Sequence, residues 1–375
     1  MSRILYISDS AIPSYSANSI HVMKMCQSWA LQGHEVTLVA KSTAACVRGV
    51  RDIYAFYGVK PAFKLKIVPG RPFPGSGRFY NLFLPFFSFG SYDVVYTRAI
   101  YPAFWYSLFG RKFAFEIHEP FETKNARLAR LFRFVVRRNK VRSWVVISEA
   151  LRTHFTKTFG IREQRITVAH DGADPFPRET QPVALAGDFK IGYVGSLLQG
   201  KGMELLMPLS KQLPACTFHI VGGQPGDVAR WKAVLEPGQQ NVVFHGFVPH
   251  AATVSYIQAF DLLIAPYQRS VFVKNADNSN NIAQWMSPLK IFEYMSSGKA
   301  MITSDLPVLR EVLEPGRNAV LCDPDRIADW VKSIGELREN DELRQKLAAQ
   351  ALEDFLAHYT WDKRAEHILH HVLSN

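Results

Sequence analysis

The chain has 375 residues, 47% hydrophobic and 21% charged, which fits two globular domains and excludes a disordered tail or a coiled coil. No apolar run reaches the roughly 18 residues a membrane span needs, and the nearest, Phe79–Phe89, is broken by Asn81, Pro85 and Ser88. The net charge of +11 is uneven: residues 1–183 hold 26 basic and 12 acidic side chains and residues 184–375 hold 18 and 21, so the first half is expected to face a nucleic acid, a membrane surface or a phosphorylated substrate.

The start, Met1–Ser10, carries Arg3 and a short apolar run, far short of a secretory leader's core. Ile4–Ser8 reads as a strand and Asp9–Ser19 as a polar loop. Ile20–Leu31 reads as a helix closed by Gly33, and Glu35–Ala40 as the next strand. This βαβ opening predicts a parallel sheet. Leu65–Val68, Asp93–Tyr96, Phe113–Ile117, Trp144–Ile147 and Ile166–Ala169 continue the strands. Phe176–Asp188 lacks periodicity and reads as a linker. The alternation restarts at Lys190–Val194, with a helix from Met203 and strands at Thr217–Val221, Val242–Phe244, Leu262–Ala265, Ala300–Thr303 and Ala319–Cys322. Two doubly wound α/β units in tandem are therefore expected, with ligand-binding residues just after the strands. Cys26, Cys46, Cys216 and Cys322 are too scattered for a disulfide framework or zinc site and read as buried thiols. No HExxH occurs among the twelve histidines.

Five stretches carry candidate chemistry. In Pro13–His21, Asn18 or Ser19 can cap a helix whose N-terminus suits phosphate, or the stretch is an ordinary capped loop. Glu116–Glu122 (EIHEPFE) sets His118 among three carboxylates, open to acid–base work, a metal or a structural histidine. Gly195–Gly202 (GSLLQGKG) lets backbone approach a phosphate that Lys201 can neutralise, although it is not a P-loop. In Ser287–Asp305, Pro288 opens a helix Leu289–Ser296, and Lys290 and Glu293 share one face, as a ribose-binding carboxylate with its lysine or as a solvated pair. Lys124–Arg142 holds eight basic residues and no acidic one. Leu128, Leu131, Phe132 and Val135 form a helical stripe there, which suits a membrane surface, a polyanion or a core-packed helix with a solvated basic face.

Together these stretches resemble the retaining GT-B glycosyltransferases of family four. SDSAIPSYSANSIHVMKMCQSWALQGHEVTLVA is similar to the family's opening, and EIHEP stands where its acceptor-side histidine stands. VVISEALRTHF and ITVAHDGAD resemble the close of its first domain, GSLLQGKGMELL its phosphate loop, SPLKIFEYMSSGKAMITSDLPVLREVL its signature helix region, and YTWDKR the tail that crosses back to the first domain. Two positions depart from the pattern: Ser196 stands where Arg is usual, and Trp285 where the first of two paired glutamates falls. An SPLK-type subset shares this pattern. It shifts the expected donor-sugar contacts to backbone N–H groups near Ser287–Lys290 or to Lys274–Asn281.

The resemblance implies an α/β GT-B fold. An acceptor domain would span 1–183, with 356–375 crossing back, and a donor domain 184–355, with the active site in the cleft between them. It implies transfer of a sugar from a nucleotide-diphosphate sugar to a glycan or lipid-linked acceptor in bacterial cell-surface polysaccharide synthesis, with no cofactor and no metal. His118, Lys201 and Glu293 would be catalytic. Ser19, Gly195, Ser196, Gly246, Val248, Ser287, Pro288, Leu289 and Lys290 would line the donor site with Lys201 and Glu293. Asn18, His21, Arg98 and Glu119 would lie on the acceptor side. His118 would hydrogen-bond sugar hydroxyls, and Lys201, Lys290 and helix N-termini would stabilise the leaving group electrostatically. The expected setting is the cytoplasm, peripheral at the membrane through Lys124–Arg142. A silent nucleotide-sugar binder and a GT-B-fold epimerase are the alternatives. A nucleic-acid binder is opposed by the lack of a helix-turn-helix, RRM or KH signature.

Overall fold

The computed structural model describes all residues except 45, 70–89, 178, 273–280 and 375. The aromatic run Phe79–Phe89 and most of Lys274–Asn281 lie outside the described residues. Two compact units are present. The first is Met1–Asp171 with Trp361–Asn375, and the second is Gly172–Thr360. The boundaries thus fall at 171/172 and 360/361 rather than at 183/184 and 355/356. Residues 172–183 go with the second unit because their backbone is bonded there: Ala173 N–H donates to Tyr359 O and Val183 N–H to Ser255 O.

The first unit has strands β1 (Arg3–Ala11), β2 (Glu35–Ser42), β3 (Lys64–Pro69), β4 (Val94–Thr97), β5 (Phe113–Ile117), β6 (Val141–Val146) and β7 (Ile166–Val168). They pair in parallel in the order β3-β2-β1-β4-β5-β6-β7. Near-continuous apolar runs make these strands, as both faces of a parallel sheet are covered: Ile4 to Ile7 and Phe113 to Ile117 are all buried. Its helices are α1 (Ala17–Leu31), α2 (Ile53–Phe56), α3 (Ile100–Leu108), α4 (Ala126–Arg138) and α5 (Glu149–Phe159). α1 starts earlier than its sequence suggests. Ser16 is the N-cap, accepting from Ser19 N–H, and Asn18 and Ser19 sit in the first turn.

In the second unit β8 (Lys190–Val194), β9 (Thr217–Val221), β10 (Val242–Gly246), β11 (Leu262–Ala265), β12 (Met301–Ser304) and β13 (Val320–Cys322) pair in the order β10-β9-β8-β11-β12-β13, again parallel. The helices are α6 (Met203–Gln212), α7 (Pro225–Lys232), α8 (His250–Ala259), α9 (Leu289–Ser296), α10 (Ile327–Glu339) and α11 (Asp341–His358). Pro288 is the N-cap of α9, one residue before the helix proper. The last helix, α12 (Trp361–Ser374), returns to the first unit. There Trp29 Nε1 donates to Ala365 O at 3.0 Å.

Each sheet reverses strand order once, between β1 and β4 and between β8 and β11. Open α/β sheets bind ligands beyond the carboxyl ends of their strands at such points. Three of the four cysteines are buried, whereas Cys46 is only half-buried, so the expectation of four buried thiols is corrected there.

Candidate active site

In the first unit, the residues after β1, β4 and β5 meet around one carboxylate. Glu116, on β5, is fully buried. Its Oε1 lies 2.8 Å from His118 Nε2, 3.1 Å from His21 Nε2 and 2.7 Å from Arg364 Nη2. Its Oε2 accepts from the Tyr6 and Tyr96 hydroxyls at 3.1 and 2.8 Å. Burial alone would raise its pKa, but Arg364, His21 and His118 outweigh that and hold it well below the usual carboxylate range. His21 Nδ1 lies 2.9 Å from Asp171 Oδ1, and Asp171 is brought down to about 2, with His21 the largest favourable cause set against burial.

His118 is pushed to about 4, first by burial and then by the charge of Arg98, against the opposing pull of Glu116. It is therefore a neutral imidazole at neutral pH. Arg98 directly follows β4. Its Nη1 is buried without a hydrogen-bond partner, as is Asn18 Oδ1. The other two acids of EIHEPFE turn away: Glu119 pairs with Lys124 at 2.5 Å and Glu122 with His154 at 2.5 Å. Of the expected acceptor-side set, Arg98 and His21 lie with His118, while Glu119 is held by a lysine.

His21, Glu116 and His118 also sit close enough to share a metal ion, a grouping that the sequence does not reveal. The donor set does not suit one. Glu116 already accepts from a guanidinium and two tyrosines, and a cation would be placed against the positive charge of Arg364. Arg364, Asp171, Tyr6 and Tyr96 are the members that sequence reasoning missed. Arg364 lies 248 positions from its partner, and its only sequence signal is its place in YTWDKR.

In the second unit, the loop after β8 and the first turn of α9 converge. Gly195 has φ +152°, and a Cβ there would lie 2.8 Å from Lys290 Nζ, so glycine allows the lysine its place. Gly200 is equally constrained, since a Cβ would sit 1.9 Å from Ser270 O. Lys290 is no solvated partner of Glu293. Its Nζ is buried without a hydrogen-bond partner among the described residues, and it rests 3.9 Å from the Tyr193 ring centroid and 5.2 Å from that of Tyr267. Burial, then the charge of Lys201, push its pKa well down, and Glu293 only partly opposes them. Lys201 is lowered by burial as well.

Glu293 is half-buried, its Oε1 3.7 Å from His250 Nδ1. Ser196 is exposed, and its carbonyl accepts from Tyr193 Oη at 2.7 Å. Gly246 has φ +69° and its carbonyl accepts from Gly222 N–H at 2.7 Å. Val248 packs against the apolar core, Ser287 is buried and Leu289 is half-buried. The expected donor residues Gly195, Lys201, Lys290 and Glu293 are thus brought together, while Ser19 belongs to the first unit, its hydroxyl donating to Ser14 O.

The Glycosyltransferase Family 4 profile matches residues 19–175, and a second, described as Glycosyl transferase-like, matches residues 202–370. The chain belongs to the family-four glycosyltransferases of the GT-B fold. It is 25% identical over 127 residues to a Bacillus subtilis (strain 168) protein described as teichuronic acid biosynthesis glycosyltransferase TuaH, covering 33% of this chain and 29% of that one. It is 24% identical over 196 residues to 2-deoxystreptamine N-acetyl-D-glucosaminyltransferase of Streptomyces fradiae, covering 50% and 43%. The matched stretches thus span less than half of either relative. The crystal structure of Anabaena HepE in complex with UDP and glucose superposes over 100% of both chains, with a TM-score of 0.73 at 16% identity.

A buried ammonium without a partner costs stability. Lys290→Met keeps the stem and removes the charge. It should stabilise the ligand-free protein by roughly 0.5–2 kcal/mol while impairing function. Because the folded-state pKa lies below 10.5, the penalty is largest at low pH and vanishes above the unfolded value. Thermal unfolding should therefore show the gap between variant and wild type closing as pH rises towards 10.5. A variant less stable than wild type at neutral pH would refute this.

Proposed function

We propose that the protein is a retaining, metal-independent glycosyltransferase of the hexosyl type. It takes a sugar from a nucleotide-diphosphate donor to a glycan or lipid-linked acceptor in the assembly of bacterial cell-surface polysaccharide. The observation that carries this reading is the pair Lys201 and Lys290 at the Gly195–Gly202 loop, with Lys290 Nζ buried and unpartnered. Two lysines in a desolvated site repel one another, and a diphosphate between them removes the repulsion. In the reaction the bond from the sugar to the diphosphate oxygen breaks, the acceptor oxygen takes its place, and the acceptor's hydroxyl proton passes to the departing diphosphate oxygen. Negative charge then grows on the leaving diphosphate, where both ammonium groups act. Glu293 accepts from the ribose hydroxyls, and His118, neutral, bonds the transferred sugar. The complex of HepE with UDP and glucose supports the donor class, and the likeness to a glycosyltransferase of teichuronic acid biosynthesis supports the setting.

Glu293→Ala should weaken binding of a nucleoside diphosphate by about 1.5–3 kcal/mol, the worth of a charge-assisted hydrogen bond. Calorimetry with UDP, ADP and GDP measures it, and an unchanged dissociation constant for whichever diphosphate binds would remove Glu293 from the site. Lys201→Ala should lower kcat more than it raises KM, since the charge it meets develops in the transition state. Turnover should survive EDTA. Equal kcat in variant and wild type would rule out this role for Lys201.

We further propose that the first unit docks on anionic membranes through α4. Asn125 caps the helix and Asn139, at φ 49°, closes it. Its buried stripe is Ala129, Phe132 and Val135, with Leu128 and Leu131 half-exposed, so the face is rotated from the one its sequence pattern suggests. Arg127, Arg130, Arg133 and Arg137 are exposed. Arg138 instead donates to Ser107 O and Leu108 O. Beside it, Leu108 and Phe109 are 40% and 58% exposed, an apolar tip next to a basic row. Each basic residue near an anionic surface contributes about 1 kcal/mol. Changing the four exposed arginines to Ser should abolish co-sedimentation with anionic vesicles at low salt. Equal sedimentation of variant and wild type, or none by either, would leave the charge to a soluble anionic acceptor.

A further inference from the structure

Resting on the reading of His118 as the residue beside the transferred sugar, we propose that Arg364 is a positioning residue for His118, acting through Glu116. It keeps the carboxylate ionised, so that His118 holds its proton on Nε2 and offers Nδ1 to a substrate hydroxyl as a hydrogen-bond acceptor.

An ionised carboxylate only accepts. Both oxygens of Glu116 are engaged by donors, Oε2 by two tyrosine hydroxyls and Oε1 by Arg364 Nη2 and His118 Nε2. The short contact of His118 with Oε1, 2.8 Å, therefore requires N–H on Nε2, because two acceptors would repel. The second oxygen cannot turn to relieve this, since Tyr6 and Tyr96 fix it. In a neutral imidazole Nδ1 is then the acceptor. It has no hydrogen-bond partner among the described residues, and the His118 side chain is 21% exposed. A solvent-reachable acceptor beside a neutral ring is what a sugar hydroxyl needs.

Arg364 is the largest favourable cause of the ionised state of Glu116. Without it a fully buried carboxyl is driven to take up a proton. A protonated Glu116 can donate to Nε2, which moves the imidazole proton to Nδ1 and turns an acceptor into a donor. Arg364 is itself held firmly. Its Nε donates to His170 O at 2.8 Å and its Nη2 to Ala169 O at 3.2 Å. The His21 ring lies close as well, its Nε2 3.1 Å from Oε1 and its Nδ1 2.9 Å from Asp171 Oδ1. Burial, and after it the positive charge of Arg98, keeps His118 neutral.

The test is long-range 15N–1H NMR of the full-length protein labelled at histidine, run with steady-state kinetics. At neutral pH wild-type His118 should be one tautomer, protonated at Nε2. Arg364→Met should mix or reverse the tautomer. It should also lower kcat roughly tenfold, the size of one misdirected hydrogen bond, with the donor KM unchanged, and Arg364→Lys should restore both. A wild-type His118 protonated at Nδ1, or an Arg364→Met variant that keeps the wild-type tautomer, would overturn the proposal. Should Arg364→Met fail to fold, Arg364→Gln decides in its place. The amide keeps N–H donors but removes the charge that holds Glu116 ionised, so it should mix or reverse the tautomer, and an Arg364→Gln variant that keeps the wild-type tautomer refutes the relay. Calorimetry of wild type with nucleoside diphosphates judges the glycosyltransferase reading separately. If nothing binds and nothing turns over, that reading falls, and the tautomer still decides the role of Arg364.

Discussion

One buried carboxylate organises the first unit. Glu116 gathers side chains from β1, β4, α1 and α12 and the residue after β5. A lone carboxylate at this depth would be severely destabilised, and removing one partner of such a network leaves a charge uncompensated. The network is therefore cooperative: β5 needs the terminal helix for its charge balance, and the terminal helix needs β5 for its arginine. Stability and chemistry draw on the same contacts here, since the carboxylate that these groups compensate also orients the His118 ring.

The second unit has a similar sheet but the opposite electrostatic condition. Its switch-point cation, Lys290, has no acidic partner in contact among the described residues and rests on tyrosine rings. Cation–π contacts compensate a desolvated ammonium only in part, so the charge is held ready rather than neutralised. A carboxylate ringed by donors suits a site that must present one fixed hydrogen-bonding pattern. An unsatisfied cation suits a site whose anionic partner arrives and departs. The first condition gives geometry, and the second gives affinity for a ligand at the expense of the empty state.

Much of this was legible in the sequence, for identifiable reasons. Lys190–Val194, Thr217–Val221, Leu262–Ala265 and the helix Leu289–Ser296 have the bounds their patterns suggest, because short apolar runs between glycine or proline punctuation leave little choice of register. The convergence of Gly195, Lys201, Lys290 and Glu293 was legible too, through motifs set on neighbouring strand ends. The α4 stripe was misread because Ala129 is small enough to be passed over, yet it is the residue that packs. The start of α1 was misread because Ser16, Asn18 and Ser19 are all good caps and only the backbone decides among them.

The Glu116 network was illegible for a deeper reason. Its members sit at positions 6, 21, 96, 116, 118, 171 and 364, and no periodicity relates them. What relates them is topology: parallel strands bring every carboxyl end to one edge, and α12 lays its buried face along α1. Local pattern can say that Arg364 lies on a helix, but not that it is the face of that helix turned inward. The physical hint was present only as an anomaly, a glutamate inside the apolar strand FAFEI. A charge in such a strand requires partners, and none lies nearby in sequence except His118. The remaining compensation had to come from afar, which makes an acid in an apolar strand a pointer to long-range structure even where its partners cannot be named.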